Sequence, residues 1–250
     1  MFNFGFFYKV IVVMDAMGRR RFIHLNMVIV LSLYFNSTPG IHQQENHPPV
    51  VKINSPKSNS VFDGDATVNY EIDVADKEDG DSRYDEINIK KILLEVRQIK
   101  NKTNAIVRPD PPALTVMRTS NCFNCHNFTG KSIGPSFYEI GKRYTLTAAN
   151  TDTLVKRIRA GSTDIWGKEK MPAHPELTRQ QIISSVEWIL KHAADPGINY
   201  YIGTTGTFHL KRSGKPAVYM LTASYLDRGS KDAPGKQRLK GQDVIYIYGK

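Results

Sequence analysis

The stretch Ser120-Asn121-Cys122-Phe123-Asn124-Cys125-His126 decides how the chain is read. It holds both cysteines of the 250-residue chain, three positions apart, with a histidine directly after the second. C-x-x-C-H is the attachment signature of c-type haem. There the two sulfurs form thioethers with the haem vinyl groups, and His126 serves as proximal iron ligand. Other uses of these residues fit less well. A thioredoxin-like C-x-x-C wants a preceding strand in a βαβ setting, whereas Pro111-Pro112 opens a short helical stretch, Ala113 to Ser120, ahead of Cys122. A structural zinc site needs four ligands, and no second Cys or His pair follows. A Cys122–Cys125 disulfide would leave His126 without a role.

Working outward, the pattern from Ala113 onward is helical. A short helical run is expected over Tyr138 to Tyr144. Asn150 or Thr151 is expected to cap a further helix whose apolar face is Leu154, Val155 and Ile158, ended by Gly161 and Ser162. A loop from Thr163 to Pro175 holds Trp166, Met171 and His174. Thr178-x-x-Gln181 reads as a capping box. Ile182, Ile183, Val186, Ile189 and Leu190 then set one apolar face on a last helix.

Residues 113–195 resemble the small bacterial mono-haem class I cytochromes c, and the likeness runs past the attachment motif. Ile133-Gly134-Pro135-Ser136-Phe137 is similar to the family turn in which the proline carbonyl accepts the proximal histidine's Nδ1–H. That bond would orient His126. Arg157-Ile158-Arg159-Ala160-Gly161-Ser162 and Trp166-Gly167 are similar to the segment that binds haem propionates, which implies that role for Arg157 and Trp166. Met171-Pro172, 45 residues beyond His126, resembles the distal-ligand loop. Trp188-Ile189-Leu190 resembles the aromatic end of the last helix. A thioether ligand favours ferrous iron and raises the potential, as electron transfer requires. His174 is the alternative distal ligand in the same loop, and Met171 could instead be a loop methionine filling a core gap.

On either side the pattern is β. Val50 to Ile53, Val68 to Val74 with its period-two alternation, and Ile92 to Ile99 are strand candidates before the helices; a short helix is also open for the last. Gly206 to Leu210, Ala217 to Tyr225 and Asp243 to Tyr248 are strand candidates after them. Three strands on each side are too few for a stable sandwich alone. Together they match the strand number of an immunoglobulin-like sandwich, and these flanks resemble β segments found beside cytochrome modules in exported oxidoreductases. Tyr219, on an alternating stretch, resembles the tyrosine near the start of the sixth strand of such folds. The expected fold is α and β and multidomain. A small all-α class I cytochrome c domain (113–195) is inserted in an immunoglobulin-like antiparallel β-sandwich (48–112 and 196–250), behind a leader (1–46).

In that leader, Arg19-Arg20-Arg21 reads as a charged n-region and Phe22 to Phe35 as an apolar h-region, short for a membrane span. Export, to the periplasm or cell surface, suits haem attachment, and an uncleaved leader would act as a membrane tether. The net charge of +10 is spread without the dense Lys/Arg stripe and interleaved aromatics that nucleic-acid binding needs. It reads as solvated surface or as a docking face for an acidic redox partner. Asp76, Glu78, Asp79 and Asp81, with Asp85 and Glu86 behind, surround Gly80. They read as a solvated turn or as oxygen ligands for Ca2+. The resulting expectation is one covalent haem c, His126/Met171-ligated, passing single electrons between redox partner proteins, with no catalytic residues of its own. It would serve an exported dehydrogenase. A haem-based ligand sensor, in which Met171 leaves, and a carbohydrate or adhesion sandwich with an accessory haem are the rival classes.

Overall fold

A computed structural model of the chain describes residues 12–14, 20–22, 45–102, 109–192, 195, 197–211, 216–230 and 237–250. Met1–His42 form one unit and Gln43–Lys250 another. In the first, strands β1 (Val12–Met14) and β2 (Arg20–Phe22) pair antiparallel, Val13 opposite Arg21. Two arginines of the expected n-region thus lie in a strand, and the apolar run after Phe22 lies outside the described residues. No helix among the described residues is long and apolar enough to cross a membrane.

The second unit opens with β3 (Val50–Ser55), β4 (Val61–Phe62), β5 (Thr67–Asp76), β6 (Gly80–Asp81) and β7 (Ile92–Ile99). In β5 the alternation works as its period predicts, with Val68, Tyr70, Ile72 and Val74 buried and Asn69 and Glu71 exposed. Strand β7 does not alternate, because Ile92, Leu93 and Leu94 are all buried. The strand is covered on both faces, which is why its sequence also allowed a helix.

Four helices follow: α1 (Pro112–Thr119), α2 (Phe137–Arg143), α3 (Ala148–Ala160) and α4 (Arg179–His192). Pro112 opens α1, where a missing N–H costs nothing. Ser136 and Glu139 close a reciprocal capping box on α2. Thr178 and Gln181 bond reciprocally ahead of α4 (2.8 and 3.2 Å). The cap expected at Asn150 or Thr151 is instead Thr147, whose Oγ1 accepts from the Asn150 N–H at 3.2 Å. Ala148 and Ala149, strong helix formers, let the helix begin earlier, and the Asn150 side chain turns back to the Thr145 carbonyl (2.8 Å).

The chain then returns to β structure with β8 (Ile198–Ile202), β9 (Thr205–His209), β10 (Ala217–Leu226) and β11 (Lys240–Gly249). Strand β8 was not among the sequence candidates. Directly behind the Asp195-Pro196-Gly197 breaker, its Ile-Asn-Tyr-Tyr-Ile run has no clean alternation, and pairing to β7 forms it (Leu94 opposite Tyr201).

One sheet has the order β4-β11-β10-β7-β8; in the other, β5 pairs with β3, β6 and β9. Each sheet therefore contains strands from before and after the helices. The pairings are antiparallel except β4 with β11, which is parallel (Val61 opposite Tyr248). The fully antiparallel expectation is corrected there, because the chain reaches β4 by crossing from the other sheet, not by a hairpin. Val68, Ile72 and Val74 of one sheet share a core with Leu94, Leu221, Ala223 and Ile247 of the other. A second core lies on the opposite face of β7 and β8, where Leu93 and Tyr200 meet Leu114, Met117, Phe123, Phe128, Phe137 and Trp188. Each such buried side chain contributes about 1.5–3 kcal/mol, so the helices are seated on the sheet by a continuous apolar contact. Arg118 of α1, 2 % exposed, adds a polar tie. Its Nη2 donates to Ser224 Oγ on β10 (3.1 Å) and pairs with Asp110 (3.3 Å), which also binds Lys240 (2.6 Å).

The acidic turn is internal scaffolding. Asp76 Oδ1 accepts from the Glu78 and Asp79 N–H groups (3.0 and 2.7 Å). Asp79 accepts from the Tyr225 hydroxyl (2.7 Å) and from Arg228 Nε (3.1 Å). Glu86 accepts from the Asp81 N–H (2.8 Å), and Glu78 pairs with His47 (2.8 Å). Among the described residues no group of three or more carboxylate, imidazole or thiol side chains could hold a metal ion. Protein donors take Asp76 Oδ1 and oxygens of Glu78, Asp79 and Glu86, and the calcium expectation finds no ligand set there.

Candidate functional site

Helix α1 ends where the Ser120 N–H bonds the Val116 carbonyl at 2.9 Å. Asn121 takes a left-handed conformation (φ 60°), a turn that Asn tolerates better than most residues. A 3₁₀ turn, Cys122–Asn124, follows. The Cys122 carbonyl accepts from both the Cys125 and His126 N–H groups (3.2 and 3.0 Å). This tight winding brings the two thiols and the imidazole to one wall of a single cleft of about 660 Å³.

The imidazole is fixed from three directions. His126 Nδ1 lies 2.7 Å from the Pro135 carbonyl oxygen. A carbonyl can only accept, so Nδ1 carries the proton and Nε2 keeps its lone pair. The Phe137 ring stacks on it at 5.5 Å between centroids and 22° between planes. Gly134 presses on its other edge; a Cβ there would stand 2.5 Å from His126 Cε1. Burial holds the His126 pKa below its ordinary value, so the ring is neutral and able to ligate. Burial also pushes the Cys122 thiol up to about 11.

Across the cleft, the chain leaves α3 through Gly161 (φ +79°), where a Cβ would meet the Met171 carbonyl oxygen at 2.8 Å. Ser162 and Met171 exchange backbone hydrogen bonds (3.1 and 2.9 Å). These pinch residues 163–170 into a closed loop, with Met171 at its return and Trp166 within it. Arg157, from the last turn of α3, donates to the Tyr144 hydroxyl at 2.6 Å. Ile158 of α3 and Ile182, Val186 and Ile189 of α4 complete an apolar lining.

The structure brings every sequence-derived site residue to this one cleft: Cys122, Cys125, His126, Pro135, Arg157, Trp166 and Met171. His174 lines it too, with its Nδ1 on Glu176 at 2.8 Å. Sequence reasoning missed the Phe137 stack and the Tyr144–Arg157 bond. The first had a signal, a ring two residues beyond Pro135. The second had none, since its partners are 13 positions apart, one just past the end of α2 and the other on α3. The residues fit a haem. The cleft is mostly apolar and within the usual range for a cofactor, and Cys122, Cys125, a neutral His126 and Met171 all line it.

The sequence profile of the cytochrome c family matches residues 113–193. Cytochrome c-551 of Azotobacter vinelandii is 36% identical over 75 residues, 30% of this chain and 90% of that protein. Cytochrome c2 of Rubrivivax gelatinosus is 35% identical over 74 residues, 29% of this chain and 87% of that protein. The crystal structure of Nitrosomonas europaea cytochrome c552 aligns at 26% identity and a TM-score of 0.30, covering 31% of this chain and 96% of that one. Through the segment that carries the cleft, this chain belongs to the cytochrome c family.

Proposed function

We propose that the chain is an exported single-electron carrier whose one haem c is bonded to Cys122 and Cys125 and ligated by His126 and Met171. The observation that carries this is that one mostly apolar cleft is lined by Cys122, Cys125, His126 and Met171 together. When bound, the haem supplies a one-electron store. The protein supplies the rest. Pro135 and Phe137 fix the His126 ring and its tautomer, so that Nε2 is the free donor. Ile158, Ile182, Val186 and Ile189 exclude water. Arg157, with Trp166, would take the haem propionates. Lys168 and Lys170 are exposed on the same module, which suits an acidic redox partner. An exported dehydrogenase is the partner class this reading assigns, with residues 1–46 as the export leader.

The β stretches are read as one immunoglobulin-like sandwich interrupted by the cytochrome. Two features support it: each sheet mixes strands from both flanks, and the Tyr219 hydroxyl bonds back to the backbone of Lys211, donating to its carbonyl at 3.0 Å, as in a tyrosine corner.

The test is protein made with haem-maturation factors. A pyridine haemochrome assay should give one haem per chain, resistant to denaturation, and Cys122→Ala with Cys125→Ala should lose it. The oxidised protein should show a weak sulfur-to-iron band in the far red that Met171→Ala abolishes. Carbon monoxide binding by the reduced wild type would overturn the carrier reading in favour of a ligand sensor.

A further inference from the structure

The loop that returns at Met171 is tied to helix α2. Helix α2 carries a contact with the cleft at each of its ends. At its start, Phe137 stacks on the proximal imidazole. At its other end, Arg143 reaches the loop that returns at Met171. The Arg143 guanidinium carbon sits 4.6 Å from the centre of the Trp166 ring and 5.6 Å from that of Tyr144. Its Nη1 donates to the Ile165 carbonyl at 3.0 Å. The Ser162–Met171 hydrogen bonds close the neck of this loop, but its tip holds exposed Lys168, Glu169 and Lys170. Arg143 and the neighbouring Tyr144 ring, 6.5 Å from Trp166, join the loop at Ile165 and Trp166 to the end of α2.

We propose that Arg143 is a positioning residue that straps the Met171 loop over the cleft, and so sets how often the distal position opens. This rests on Met171 being the distal ligand. A guanidinium suits the task, since one planar group stacks on a ring and donates in its own plane. A lysine keeps the charge but loses that geometry. Losing one exposed cation–π contact and one hydrogen bond to backbone raises the open population roughly fivefold or more.

Imidazole binding to the ferric holoprotein tests it, because the incoming ligand must wait for Met171 to leave. At saturating imidazole the limiting rate reports loop opening. Arg143→Ala should raise that rate at least severalfold, Arg143→Lys should raise it less, and Lys142→Ala, the adjacent exposed cation, should leave it unchanged. Haem content and the Soret band confirm that each variant is folded. A rate in Arg143→Ala equal to the wild type overturns the strap, as does an equal rise in Lys142→Ala, which would mark a general charge effect. Met171→Ala separates this from failure of the ligation itself. If the wild type binds imidazole as fast as Met171→Ala and lacks the sulfur-to-iron band, both the ligation and the strap are lost.

Discussion

Gly134→Ala tests the cleft's most closely fitted contact. The added methyl would stand 2.5 Å from His126 Cε1, 2.9 Å from Nδ1 and 3.1 Å from Nε2. The ring cannot simply step aside, since Phe137 lies against its face and Pro135 holds its Nδ1–H. Forcing a methyl into such packing costs about 1–3 kcal/mol. Losing the Nδ1–Pro135 hydrogen bond as the ring shifts adds about 1 kcal/mol. The expected total, about 2–4 kcal/mol, would be read from denaturant unfolding of the helical module followed by the Soret band. Gly130→Ala is the comparison. It has a left-handed φ of +74° but nothing within 4 Å of the added carbon, so it pays backbone strain alone, about 1–2 kcal/mol. A displaced proximal ring should also move the reduction potential in Gly134→Ala and leave it fixed in Gly130→Ala. Equal stability and equal potential in the two variants would refute the claim that Gly134 is there to let the imidazole in.

Two further outcomes concern the seating of the module and the acidic turn. Arg118 is buried with its Nε and Nη1 unpaired; Arg118→Met, of similar volume, loses the Asp110 pair but leaves Lys240 on that carboxylate, whereas Arg118→Ala loses the same pair and adds a void, so it should be less stable than Arg118→Met by about 2 kcal/mol or more, both read by urea denaturation. Asp76 is buried, its Oδ2 has no hydrogen-bond partner, and burial raises its pKa, aided by the charges of Asp79 and Asp227. The folded state therefore holds that proton to higher pH than the unfolded chain, whose carboxyl titrates near about 4. Stability falls as pH rises from there through the folded value. Asp76→Asn, which keeps the Oδ1 acceptor, should be more stable than wild type near neutral pH and lose its advantage in acid. Thermal unfolding across pH checks this, and an advantage constant with pH would refute it.

What the sequence by itself determined was everything carried by neighbouring residues. Cys122, Cys125 and His126 are read off one turn of chain, and the alternation in Val68 to Val74 names a half-buried strand because side chains there repeat every two residues. The Thr178 box also uses partners three positions apart. The tertiary structure decided what depends on residues far apart. Ile92 to Ile99 is a strand because it lies between two cores, one shared with the facing sheet and one with the helices, and no local period encodes being covered twice. Ile198–Ile202 becomes a strand only by pairing with it. The acidic turn reads locally as a solvated turn or a cation site, and only the fold shows that Tyr225 and Arg228, more than 140 positions away, donate to Asp79. Arg118 is buried against Ser224, 106 positions on. Patterns of period two or 3.6 fix which way a side chain faces. What it meets there depends on chain closure over a hundred residues, which no local pattern encodes.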